Sequence, residues 1–189
     1  MNRGSAGGRS CWVLLALLLS VSAPLAARDI VIENATATVD NDIIMLDIDA
    51  AFEFSEDAIA ALESGIELFF DLDIRCLRGR KYLWNKTLFE TRRRFSLERH
   101  ALSNQFILTD KVTEERRIHG SLALAIADLG RIRRLPVIEL GGRDVVEASL
   151  LAIRLRLDIG SLPAPMIPLA YVSPGWHMSS GWFEWQVEI

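Results

Sequence analysis

Arg92-Arg93-Arg94, with Arg99 beyond them, forms the densest group of cations in the chain. Guanidinium groups gathered this way suit an anionic ligand, because each presents a planar fork of N–H donors. On a strand, alternation sends Arg93 to the face opposite Arg92 and Arg94, so one of the three must pair with an acid or reach past the sheet. The plainer reading is an edge strand protected by charge. Asp47, Asp49, Asp71 and Asp73 alternate along two further segments. If those segments paired, the four carboxylates would form an oxygen-rich patch for a hard cation, whereas solvated strand faces explain them more simply. His100, His119 and His177 are the only histidines and lie far apart, without the short-spaced pairs typical of zinc sites. Cys76, between Arg75 and Arg78, reads as a small buried hydrophobe, and no Gly-x-Ser-x-Gly elbow presents a nucleophile. No catalytic, metal-binding or cofactor-binding residue emerges.

The tail differs in kind from the rest. Pro163, Pro165, Pro168 and Pro174 break regular structure there, while Trp176, Trp182 and Trp185 make it strongly aromatic. Such a tail either caps a core or exposes its rings, and exposed Trp clusters mark contacts with proteins or lipid headgroups. Arg92, Arg94, Arg99, Trp176, Trp182 and Trp185 are therefore the candidate interaction surface.

The elements that must position these residues are mostly strands. Two are predicted over Ile30–Val39 and Ile44–Glu53, joined by Asp40-Asn41-Asp42; Ile44, Leu46, Ile48, Ala50 and Phe52 fall on one face of the second. Ser55 caps a short helix over Glu56–Ser64. Period-two patterning returns over Glu67–Arg78, with Leu68, Phe70, Leu72 and Ile74 on one side. Gly79-Arg80-Lys81 turns the chain, and Tyr82–Trp84 extends the sheet. Strands follow over Thr87–His100, Gln105–Thr109 and Thr113–Ile118, then a second short helix over Ser121–Leu129 ended by Gly130. Pro136 pushes the strand over Arg131–Leu140 to an edge or a bulge. After Gly141-Gly142-Arg143-Asp144, Val145–Ile159 places Leu151, Ile153, Leu155 and Leu157 inward and Arg154, Arg156 and Asp158 outward, and Phe183–Ile189 closes the sheet. The fold class is mainly β: an antiparallel sandwich or open barrel of about eight strands with two short helices.

Residues 1–27 have the order of a signal peptide: Arg3 and Arg9, an apolar run over Cys11–Leu19, then small residues to Ala27. Trp12–Val21 falls short of the ~20 residues that span a bilayer, so cleavage near Ala27 and a periplasmic location are expected. Residues 28–189 then form one β-rich domain. Cleavage removes two of the 21 basic residues and no acid, leaving 19 against 25 acidic, a net charge of −6. A mildly acidic, exported domain without a basic block is a poor nucleic-acid partner. Cys76 alone remains of the two cysteines, so the fold rests on its apolar core.

Several blocks carry a family resemblance: Gly65-Ile66-Glu67-Leu68-Phe69-Phe70; Arg94 to Phe106 (RFSLERHALSNQF); Leu129-Gly130-Arg131-Ile132; Arg154-Leu155-Arg156-Leu157-Asp158 leading to Leu162-Pro163; and the closing Trp176, Ser180, Trp182, Trp185 pattern. In order and spacing they resemble a proteobacterial family of exported proteins known as domain-of-unknown-function family 4390. The family tends to carry more Trp near Lys81–Trp84, and Tyr where Phe95, Arg99 and Phe106 stand. The resemblance implies export and a shared fold but brings no activity or catalytic residues. It also implies a partner, since family members resemble neighbours of a membrane sensor kinase of the nitrogen-regulation type.

Two functions follow as expectations. The first is a non-enzymatic periplasmic binding or regulatory module that meets an envelope protein, such as that sensor kinase, or the membrane surface. The alternative is a carrier of a small apolar or lipid-like ligand inside the sandwich.

Overall fold

The computed structural model describes residues 29–40, 43–78, 86–139 and 150–186. The expected signal peptide, the expected turn at Asn41-Asp42, the Gly79–Trp84 segment, residues 140–149 and the last three residues of the expected closing strand lie outside the described residues. Nine strands are present among those described: β1 (Ile30–Asp40), β2 (Ile43–Phe52), β3 (Leu68–Arg78), β4 (Lys86–His100), β5 (Gln105–Asp110), β6 (Arg116–His119), β7 (Arg131–Glu139), β8 (Leu150–Leu157) and β9 (Phe183–Gln186). They form two antiparallel sheets, one ordered β1-β2-β7 and the other β6-β5-β4-β3-β8-β9. The architecture is an open sandwich, as the alternating pattern predicts.

One apolar core joins the sheets. Ile44, Leu46 and Ile48 of β2 meet Leu68, Phe70, Leu72 and Ile74 of β3, all within 2% of full burial. Phe70 sits at the centre, edge-on to Phe52 at 5.7 Å and beside Phe54 at 5.5 Å. Pro136 lies on β7, at an edge of the small sheet, where the register shifts between Ile44 and Met45. An edge position tolerates a residue with no N–H to donate.

Among the described residues three short α-helices decorate the sandwich, one more than the pattern predicts: α1 (Glu56–Glu63), α2 (Leu122–Leu129) and α3 (Ile167–Val172). The extra helix lies in the proline-rich tail, because Pro168 sits in the first turn, where proline's missing N–H costs nothing. Ser55 accepts from Ala58 N at the start of α1 and donates to Gly175 O at 2.7 Å, tying the tail to the sandwich. No helix among the described residues is long and apolar enough to cross a membrane.

Candidate functional site

The large sheet has a second face, turned away from the core. Its centre is β3, paired on one side with β4 and on the other with β8. Register places Asp71 between Arg94 and Arg156, and Asp73 between Arg92 and Arg154. Two acids on a central strand thus meet two basic ladders from its neighbours, since residues directly opposite in a sheet share a face.

Side chains use that placement fully. Arg92 Nε donates to Asp73 Oδ1 at 2.7 Å, and Arg154 Nη2 and Arg156 Nε donate to Asp73 Oδ2 at 2.7 and 3.1 Å. Asp71 accepts from Arg94 Nε at 2.8 Å and from Arg156 Nη2 at 3.1 Å. Arg94 also reaches Asp158 Oδ2 at 2.7 Å, and Asp158 accepts from Ser161 Oγ at 2.6 Å. The carboxylates are 0% and 2% exposed, whereas the Arg92 side chain above them is 50% exposed. Burial alone would raise the Asp73 carboxyl, but the bonds from Arg154, Arg92 and Arg156 override it and lower it to about 2. The reciprocal bond to Asp73 raises Arg92, and the bond to Asp71 raises Arg94.

Trp182 completes the face. Gly181 adopts φ +66° between the Arg156–Ser179 bridge and the start of β9. The Trp182 ring lies 4.1 Å from the guanidinium carbon of Arg75 and 4.5 Å from that of Arg154. Cation–π contacts of this kind are worth about 0.5–2 kcal/mol.

A family model described as Domain of unknown function (DUF4390) matches residues 27–186. The chain belongs to this family. No curated protein and no solved structure matches it. Membership in DUF4390 carries no activity, so the chemistry of the face must be read from its geometry.

Several sequence expectations are corrected by this arrangement. β4 pairs with β5 only over Phe95–His100, so Arg92–Arg94 lie beyond the end of β5, as an edge reading expects, but Arg92 and Arg94 are also partners of buried acids. Asp47 and Asp49 sit on β2 in the other sheet, so the four alternating carboxylates form no common patch. Asp71 and Asp73 are buried, not solvated, because guanidiniums from both flanking strands cover them. Arg93, on the opposite face as alternation requires, donates to Pro136 O on β7 at 2.8 Å. Arg99 shares Arg93's parity and stands apart from the lattice, bonding Glu63 O at the end of α1 and Asn104 Oδ1. Trp176 is 4% exposed and belongs to the core, and Trp185 packs against the core from β9. Of the six candidates, Arg92, Arg94 and Trp182 converge.

The structure adds Asp71, Asp73, Arg154 and Arg156. Their signal is present in the chain as Asp-x-Asp and Arg-x-Arg at strand spacing, but only pairing order reveals that they stack. The three histidines are dispersed: His100 contacts Ser103 Oγ, His119 contacts Asp128 Oδ2, and His177 contacts Tyr171 O. No group of three His, Cys, Asp or Glu among the described residues is placed to hold a metal ion. Cys76 is buried, as its apolar strand predicts, and burial pushes its thiol up, away from the reactive thiolate.

Proposed function

We propose that this protein is a non-catalytic binding module of the periplasm whose docking face is the arginine lattice and Trp182. Its partner is an acidic segment of an envelope protein, and the sensory part of a membrane kinase is the partner we favour. The basic, apolar and small-residue order of residues 1–27 supports export. The observation that carries the docking face is a surplus of donors. Each of four guanidiniums has about five N–H groups, against about four acceptor sites on each of the two buried carboxylates. The buried acids hold the forks in place before any ligand arrives, so little side-chain freedom is lost on binding. Trp182 supplies a flat apolar contact beside them.

Titration of the chain with poly-L-glutamate, followed by tryptophan fluorescence, tests this reading. Saturable binding that weakens with salt is expected, reduced about fivefold by Arg92→Gln and by Trp182→Ala. Both variants are expected to keep the parent's circular dichroism spectrum. Absence of binding, or binding indifferent to both changes, refutes the docking face.

The carrier of an apolar ligand is the second reading, supported by one groove. It lies between α1 and α3, has a volume of about 390 Å³, and is lined mainly by Ala60, Ala61, Ile66, Met166, Leu169 and Trp176. Beside it Leu169 and Val172 are 67% and 77% exposed. In this reading the apolar ligand would sit in that groove rather than between the sheets. Native mass spectrometry before and after organic extraction is expected to show a lost adduct if this reading holds, and an unchanged bare mass if it does not.

A further inference from the structure

A second cavity, of about 400 Å³, opens beside β7 and is lined from both sheets and from α2. Its apolar lining comes from Phe95, Ile132 and Leu135, all 7% exposed or less. The rest of the lining is charged and formally balanced. Asp110, Glu115 and Asp128 face the cavity with Arg117, Arg131 and Arg133.

Those charges are not equally engaged. Arg117 Nη1 bonds Asp128 Oδ1 at 2.7 Å, and the other oxygen of Asp128 lies 2.9 Å from His119 Nε2. Arg133 is taken by Asp49 and by the Ile48 carbonyl. Arg131, Asp110 and Glu115 form no ion pair among the described residues. Asp110 accepts only the backbone N–H groups of Val112 and Thr113. One unneutralised cation and two unneutralised carboxylates thus line the same cavity without meeting one another, next to an apolar surface.

We propose that this cavity binds a small zwitterion of the α-amino-acid class. Its carboxylate meets Arg131, its ammonium meets Glu115 and Asp110, and an apolar side chain lies against Phe95, Ile132 and Leu135. A ligand of one charge sign would leave one side of the lining unanswered, and a neutral apolar one would strip water from both. The volume falls at the lower end of the range for small-molecule sites, about 300–1,000 Å³. The site is separate from the arginine lattice and does not depend on it.

Isothermal titration calorimetry of the chain with L-leucine, and with N-acetyl-L-leucine as the probe lacking the ammonium, tests the proposal. Leucine is expected to bind. Acetylation, Arg131→Ala and Glu115→Gln are each expected to weaken binding about tenfold, the size of one lost charge-assisted bond. Arg92→Gln, which alters the lattice, is expected to leave leucine binding unchanged. Arg131 and Glu115 are exposed, so both variants should keep the parent's melting profile. No heat with leucine, equal binding of the acetylated probe, or full binding by both cavity variants overturns the proposal.

Discussion

Replacing Asp73 by Asn is expected to destabilise the protein by about 3–5 kcal/mol, the range for removing one partner of a buried ion pair. Asn keeps the shape of the side chain and removes only the charge. Arg92, Arg154 and Arg156 then crowd a neutral amide, and the guanidinium repulsion that Asp73 offsets is left uncompensated. Urea unfolding followed by circular dichroism measures the loss. A change below ~1 kcal/mol would mean that solvent already screens the lattice, as it does ordinary surface pairs. The same residue sets an acid limit. Its folded carboxyl is lowered from 3.8 to about 2, so its contribution is complete above about pH 4 and disappears as pH falls through about 2. The drop corresponds to roughly 2 kcal/mol. Parent stability should therefore fall across that window more steeply than that of Asp73→Asn, and parallel pH profiles would contradict the assignment.

Gly130→Ala is expected to cost about 3 kcal/mol, at the upper end for forcing atoms into a packed interior. Gly130 ends α2, and its carbonyl accepts from Ala50 N at 2.8 Å, joining the helix to β2. A methyl group built there would press into the Ala50 carbonyl oxygen, well inside contact distance. The obstacle is backbone, so no rotamer change relieves it. The φ of −75° is ordinary, which makes proximity rather than dihedral freedom the reason for glycine. Differential scanning calorimetry should show a lower melting temperature for Gly130→Ala. Gly120→Ala, at a position with open space around its added carbon, serves as the control and should melt near the parent. Equal melting of both variants would show that α2 shifts freely on β2.

How much of this was legible beforehand differs from element to element. The alternation in β2, β3 and β8 revealed the core-facing sets directly, because a strand repeats every two residues and water sorts its faces. Ser55 was legible as a helix cap, since capping depends on a few adjacent residues, whereas Ser121, read as the first residue of the second helix, is its N-cap. The second face of the large sheet was misread. Period-two patterning cannot distinguish an acid facing water from an acid covered by arginines of neighbouring strands. Trp176 was misread for a similar reason: a ring in a proline-rich tail gives no periodic sign of the face it will meet.

The amino-acid order by itself therefore determined the β-rich class, most of the strands, the apolar core and family membership, all of which rest on local period or on extended similarity. Tertiary structure alone decided which strands became neighbours. With β3 placed between β4 and β8, Asp71 and Asp73 became buried counterions and Arg92, Arg94, Arg154 and Arg156 a preorganised donor surface. The physical reason is that Coulomb attraction depends on distance through space. Asp73 and Arg154, 81 residues apart in the chain, lie 2.7 Å apart in the sheet.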